Sequence, residues 1–154
     1  MRILVCGGRN FGNLSALVAD SVSRAQVEKE YNFILRSLDK LAQDDWPKSE
    51  PDQYGNWLPR VTIISGGASG VDSVAIDWAV VNWCPFEEFK ADWKLHGRQA
   101  GPIRNQRMID IGKPDLVVAF PGGNGTADMM RRARGANIKV TEIDYGQALP
   151  IERK

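Results

Sequence analysis

Apolar residues along the chain follow two alternating patterns, short continuous runs and longer stretches in which they recur every three to four residues. The mainly apolar runs at residues 3–6, 61–65 and 116–120 predict buried strands, while residues 86–89 and 138–143, where charged residues interrupt the apolar ones, predict the third and the last strand. The periodic stretches, each of which predicts a helix, are residues 23–44, 71–83, 102–111 and 127–134. Strands that alternate with helices favour a parallel sheet covered on both faces. The pattern therefore predicts an α/β fold, a Rossmann-like domain with a mostly parallel sheet.

The segment from 43 to 59 departs from this alternation, because it is polar and contains three prolines and a glycine. These residues favour a long loop. Trp46, Tyr54 and Trp57 lie inside it. The simplest interpretation is that these aromatic rings pack onto the body of the protein; a partner surface and stacking on a base are the alternatives.

Three predicted strands lead directly into glycine-rich segments. The residues of interest are Gly7, Gly8 and Arg9 after the first strand, Ser65, Gly66, Gly67, Ser69 and Gly70 at the second, and Pro121, Gly122, Gly123, Asn124, Gly125 and Thr126 after the fourth. Open α/β sheets bind ligands beyond the carboxyl ends of their strands. We therefore expect the three segments to share one ligand site, although glycine turns also serve the packing of strands against helices.

The segment from 121 to 126 carries the strongest indication of ligand chemistry. Glycines allow successive backbone N–H groups to turn toward one point, and the helix that follows adds the positive end of its dipole. This order of strand, glycine loop and helix start predicts a site for a phosphorylated small molecule. We expect Thr126 both to cap the helix and to contact the phosphate.

Polar residues near these segments are candidates for the same site. Arg9 could pair with a carboxylate or phosphate, while Ser65 and Ser69 could donate hydrogen bonds to phosphate oxygens or cap helices. Asp72 either serves the site or caps the second helix. Arg104 and Arg107 are three residues apart and share a helix face, so they either clamp a phosphate or form a solvated surface. Trp93 is a candidate for stacking on a base.

Composition narrows the function classes. The chain has 20 basic and 19 acidic residues, a balance that argues against binding duplex DNA through a broad basic face. No apolar run is long enough to cross a membrane, and the N-terminus does not read as a signal peptide. Cys6 and Cys84 lack metal-ligand spacing, predicting buried free thiols, and His96 is the single histidine. We expect a cytoplasmic protein without metal, cofactor or membrane contact.

Three motifs in order resemble a known family. Residues 65–72, 100–105 and 120–128 are similar to the YspA-like branch of the SLOG superfamily. The resemblance covers nearly the whole chain, implying a single domain over residues 1–154 with a loop insertion at about 43–59. It implies a Rossmann-like fold and a nucleotide or nucleotide-derived ligand, and it adds Asn105 to the candidate site. Homo-oligomers are common in such folds, and Trp78 and Trp83 leave room for self-association.

The superfamily also includes the Lonely Guy phosphoribohydrolases, which release a base from a nucleoside monophosphate. Their motif resembles Pro-Gly-Gly-x-Gly-Thr-x-x-Glu, but Met129 stands here at the ninth position and Asp128 one place earlier. A shift of one residue on a helix rotates a side chain by about 100 degrees. Asp128 and Asp72 are the two acids placed for acid–base work, so an N-glycosidase remains an alternative to a protein that binds, senses or sequesters a nucleotide. Single-stranded DNA binding, which some SLOG relatives perform, is disfavoured by the near-neutral charge.

Overall fold

The computed structural model describes residues 1–14 and 21–146. Five strands alternate with helices along these residues. The strands are β1 (Arg2–Cys6), β2 (Thr62–Ser65), β3 (Phe86–Glu88), β4 (Leu116–Ala119) and β5 (Lys139–Glu142). The helices are α1 (Ser21–Asp44), α2 (Val71–Val81), the short α3 (Trp93–His96), α4 (Ala100–Asp110) and α5 (Asn124–Gly135), with a 3-10 turn at Gly97–Gln99. The alternation that the sequence pattern predicts is confirmed.

All five strands run parallel, in the spatial order β3-β2-β1-β4-β5. The chain builds the sheet outward from β1 to β3, then returns to the other side of β1 and continues outward. The direction of winding therefore reverses between β1 and β4. In sheets of this type the crevice beyond the carboxyl ends of the two central strands is the usual place for a ligand.

Helices cover both faces of the sheet, as the sequence predicts. Alternate strand residues such as Ile3 and Val118 pack with Ile34 of α1 and Trp78 of α2. The intervening strand residues, including Leu4 and Val117, pack with α4 and α5. Because neighbouring strand side chains point to opposite faces, the continuous apolar runs reflect a sheet that is buried on both sides.

The three aromatic residues of the 43–59 segment differ in burial. Trp46 is 3% exposed and its ring meets that of Trp78 edge to face at 5.7 Å, so packing onto the body is correct for this residue. Tyr54 and Trp57 are exposed, so the same interpretation is wrong for them. Trp78 itself is buried in the core and is thus not available for self-association, whereas Trp83 is 83% exposed.

No helix in residues 1–14 and 21–146 combines the length and the apolar character that crossing a bilayer requires. Cys6 and Cys84 are buried free thiols, as predicted. Burial and the nearby charge of Asp72 raise the pKa of Cys6 to about 12, and burial also raises the pKa of Cys84. Both groups therefore remain protonated at neutral pH.

Candidate functional site

The structure brings the three glycine-rich segments together at the carboxyl edge of the sheet. The backbone N–H of Gly8 donates to the carbonyl of Pro121 at 2.8 Å, and the N–H of Val71 donates to the carbonyl of Gly8 at 3.2 Å. The hydroxyl of Ser69 donates to the carbonyl of Arg9 at 3.2 Å. These bonds tie the loops that follow β1, β2 and β4 into one connected edge.

A cavity of about 700 Å³ opens at this edge. Its wall includes Gly7, Gly8 and Arg9 after β1, Ala68 and Asp72 at the start of α2, and residues 123–126 at the start of α5. Trp93 of α3 and two residues of α4, Arg104 and Asn105, also line it. The volume falls within the range of small-molecule sites, roughly 300–1,000 Å³.

The N-terminus of α5 faces this cavity without a side-chain cap. The helix begins at Asn124, and Gly123 occupies the capping position with no side chain to accept a hydrogen bond. The prediction that the helix starts near residue 127 with Thr126 as its cap is therefore wrong. Thr126 lies inside the first turn and is buried. The backbone N–H groups of that turn have no intrahelical partner, so they are free to bind an anion.

Charged side chains around the cavity are mostly basic. Arg9, Arg98, Arg104 and Arg131 line it, against Asp72 and Asp128. Arg9 lies over the ring of Trp93, with its guanidinium carbon 4.9 Å from the ring centre. Together with the helix dipole, the excess of positive charge favours a ligand that carries negative charge.

Asp72 is the buried carboxyl group of the site. It is 7% exposed, and Oδ2 accepts a hydrogen bond from the N–H of Ala68 at 3.2 Å. Burial raises its pKa to about 6, even though the Ala68 bond and the charges of Arg104 and Arg9 act in the opposite direction. A carboxyl group that titrates near neutrality inside a cavity is suited to exchange protons.

Asp128, the second predicted acid, is held by other side chains. It accepts hydrogen bonds from Asn105 at 3.0 Å, from Arg131 at 2.7 Å and from Arg132 at 2.8 Å. Burial acts to raise its pKa, but the bonds from Arg132 and Asn105 and the charges of Arg132 and Arg131 outweigh burial and hold the pKa below its ordinary value. An ionised, fully engaged carboxylate is poorly suited to donate a proton.

Several predicted site residues lie elsewhere. Ser65 is completely buried, where its hydroxyl donates to the carbonyl of Asp72 and accepts from the N–H of Gly67. Gly70 adopts a φ of +79°, and a Cβ there would lie 2.3 Å from the carbonyl oxygen of Gly8, so this glycine serves the packing of the two loops. Arg107 does not line the cavity. Its guanidinium carbon lies 5.9 Å from the centre of the Phe89 ring, so the structure does not support a clamp formed with Arg104.

The remaining glycine-loop residues border two smaller cavities. Gly66, Gly67 and Ser69 line a cavity of about 280 Å³ next to the main one. Pro121 and Gly122 line another, of about 210 Å³, which reaches the end of β5.

Arg98 and Arg131 line the main cavity although the sequence pattern did not single them out. Arg131 had a detectable signal, because its spacing of three from Asp128 places both residues on one helix face. Arg98 lies in the 3-10 turn before α4, where no periodic pattern exists to orient it. Among the described residues, no three acidic, histidine or cysteine side chains group closely enough to suggest a metal site.

Comparison with known proteins bears on this fold and this edge of the sheet. A family model described as the YspA, cpYpsA-related SLOG family matches residues 1–96. The matched range runs from β1 through α3. It includes the loops after β1 and β2 and ends before α4 and α5.

Two individual proteins are similar to the chain. The Gene 61 protein of Mycobacterium phage D29 is 39% identical over 94 residues, which is 56% of this chain and 72% of the phage protein. The X-ray structure of TM1055, a structural genomics target, is similar in fold. The alignment covers 90% of this chain and 71% of the TM1055 chain, with a TM-score of 0.57 and 15% sequence identity. At that identity the second similarity concerns the fold.

Proposed function

The chain belongs to the YspA, cpYpsA-related SLOG family, and from that premise we propose that it binds a nucleotide or nucleotide-derived phosphorylated molecule at the crevice between β1 and β4. The observation that carries the proposal is the uncapped N-terminus of α5, which opens into a cavity lined by four arginines. Phosphate groups are among the anions that free N–H groups at the start of a helix bind.

The rest of the cavity has chemistry suited to the remainder of a nucleotide. Asp72 offers a carboxyl group that can accept hydrogen bonds from ribose hydroxyls or base N–H groups. The Trp93 ring is about half exposed, and because Arg9 covers one of its faces, a base would stack on the other face. Arg131, held by Asp128, and Arg98 supply further positive charge near the start of α5.

Gly123→Val tests the phosphate position. Gly123 lines the cavity, and a Cβ added there meets no atom within 4 Å, so the larger side chain adds bulk at the anion position without a clash in the core. Loss of two or three charge-assisted hydrogen bonds lowers affinity by roughly a hundredfold. Isothermal titration with a panel of nucleoside 5′-monophosphates measures this change, and circular dichroism checks that the fold is kept.

Gly135→Val is the matched control, because Gly135 ends the same helix and also has no atom within 4 Å of an added Cβ. The control should bind as the wild type does. Unchanged affinity in Gly123→Val, for a ligand that the wild type binds, would contradict the proposed site.

A second candidate function is hydrolysis of the N-glycosidic bond of the bound nucleotide. The observation that favours it is Asp72, a cavity carboxyl group with a pKa of about 6. In its neutral form this group can donate a proton to the departing base, and in its ionised form it can accept one from the attacking water. Water and nucleotide would yield a sugar phosphate and a free base.

Native mass spectrometry of the protein with the nucleotide panel separates the two candidates. A persistent adduct of unchanged mass supports binding alone, as in a sensor or sequestering protein. Masses of a free base and a sugar phosphate support hydrolysis. In that case Asp72→Asn should reduce turnover by at least about a hundredfold, and a variant with full activity would remove Asp72 from the mechanism.

A further inference from the structure

The cavity of about 280 Å³ shares four wall residues with the main cavity, Arg9, Ala68, Trp93 and Arg104. The contact between Arg9 and the Trp93 ring belongs to both walls and therefore lies between the two spaces. The smaller cavity adds Lys90 and the loop residues 66–69. The two cavities are therefore adjacent, with Arg9 and Trp93 in the wall that they share.

Three cationic groups border the smaller cavity: Arg9, Lys90 and Arg104. Arg104 is fixed in place, since Nη1 donates to the carbonyl of Gly66 at 2.7 Å and Nε donates to Oδ1 of Asn105 at 3.1 Å. Burial and the neighbouring charge of Arg9 lower the pKa of Arg104, while Asp72 acts to raise it. At Arg104 the effect of burial therefore outweighs the opposing charge of Asp72.

Two carboxylates oppose these three cations: Asp72, whose charge acts on Arg9 and Arg104, and Glu88 beside Lys90. One positive charge therefore remains in excess, and the pair that Lys90 forms is the weakest. Glu88, at the end of β3, places Oε1 4.0 Å from Nζ of Lys90, and the Lys90 side chain is 80% exposed. An ion pair at that distance and exposure contributes little. A phosphoryl group between the three cations would gain shorter, charge-assisted hydrogen bonds.

We propose that the smaller cavity binds a second phosphoryl group of the same ligand, so that the ligand is a nucleotide phosphorylated at two separate positions. One phosphoryl group lies at the start of α5 and the other lies among Arg9, Lys90 and Arg104. This inference rests on the proposed function, because it needs the first phosphate at α5 to set the position of the second.

The test compares nucleotides that differ by one phosphate. Isothermal titration is carried out with adenosine 5′-monophosphate and adenosine 3′,5′-bisphosphate, and with the corresponding guanosine pair. The wild type should bind a bisphosphate about tenfold more tightly than its monophosphate, the gain of one charge-assisted contact. Lys90→Glu should abolish this advantage and leave the affinity for the monophosphate within about twofold of the wild type.

Lys94→Glu is the matched control, since Lys94 is an exposed lysine of α3 that lines neither cavity. It should keep the advantage of the bisphosphate. Equal affinity for the two nucleotides, or an advantage that survives in Lys90→Glu, would overturn the inference and leave the proposed function standing. Failure of the wild type to bind any of the four nucleotides would count against the proposed function and against this inference with it.

Discussion

Asp72 combines two properties that oppose each other. Its burial at the edge of the cavity makes the ionised form unfavourable, yet only the ionised form can accept a proton from a ligand or water. The folded chain therefore holds this carboxyl group at a free-energy cost above pH 6. Groups of this kind are commonly found where a protein acts on or recognises a ligand.

Asp72→Asn should stabilise the protein at high pH. The ordinary pKa is 3.8 and the folded pKa is about 6, so between these values the folded chain binds a proton that the unfolded chain has released. The free energy of unfolding therefore decreases as pH rises from about 4 to about 6 and is constant above, by about 3 kcal/mol in total. Asparagine escapes this loss and can still accept the bond from Ala68.

Urea denaturation at pH 4 and pH 8 measures the effect. The variant should exceed the wild type by up to about 3 kcal/mol at pH 8 and should match it at pH 4. Asp45→Asn removes an exposed aspartate outside the site and serves as the control for the loss of one acidic residue. A difference for Asp72→Asn that does not depend on pH would show that its ionisation is not coupled to folding.

At the scale of elements, a hydrogen-bonded network joins α4 to the first two turns of α5. Asn105 of α4 donates to the carbonyl of Gly125 at 3.2 Å and to Asp128 at 3.0 Å. Asp128 in turn accepts hydrogen bonds from Arg131 and Arg132. Arg132 also donates to Oε1 of Gln106 on α4 at 2.9 Å. The network fixes the start of α5 relative to α4 and aims Arg131 at the cavity.

Asp128→Asn should weaken this network. At pH 7 we expect a loss of about 1 to 2 kcal/mol in the free energy of unfolding, because the ion pairs with Arg131 and Arg132 are lost and one of the two acceptor oxygens becomes an NH2 donor. The pKa of Asp128 is lowered in the folded state, so its contribution is present above the ordinary value and is lost as pH falls through the folded pKa. Thermal unfolding of both proteins between pH 7 and pH 2 should show the difference closing in acid.

Asp110→Asn is a suitable control on α4, where the exposed Asp110 bonds to Gln106 alone among the described residues. It should change stability by less than about 0.5 kcal/mol. If both variants lost the same free energy of unfolding, the network around Asp128 would stabilise the fold no more than a single exposed hydrogen bond.

For the whole molecule, the parallel sheet and the meeting of three glycine loops could be predicted from the sequence. Short apolar runs define buried strands, and parallel strands end on a common edge. The start of α5 was misplaced because its first turn reads Asn-Gly-Thr, residues that favour loops when considered one at a time. Here the helix begins at Asn124, and Asn105 of α4 holds that turn through its hydrogen bonds to Gly125 and Asp128.

At the site, the features that could not be predicted from the sequence are contacts between residues far apart along the chain. The sequence could not show that Asp128 is engaged by three donors, since one of them, Asn105, comes from another helix. It likewise could not bring Lys90 beside Arg9, which precedes it by 81 positions. Self-association, with Trp83 as the exposed aromatic residue, stays a prediction, as do the extent of the domain and the insertion at 43–59.

The missing cap on α5 has a consequence for how this chain would change under selection. A serine or aspartate side chain at position 123 would accept a hydrogen bond from one first-turn N–H group and stabilise the helix by roughly a few tenths of a kcal/mol over glycine. An aspartate carboxylate there would also occupy the place proposed for the phosphate. Selection for heat resistance alone would therefore favour aspartate at position 123, whose carboxylate would exclude the phosphate. Selection for ligand binding as well would keep glycine at this position.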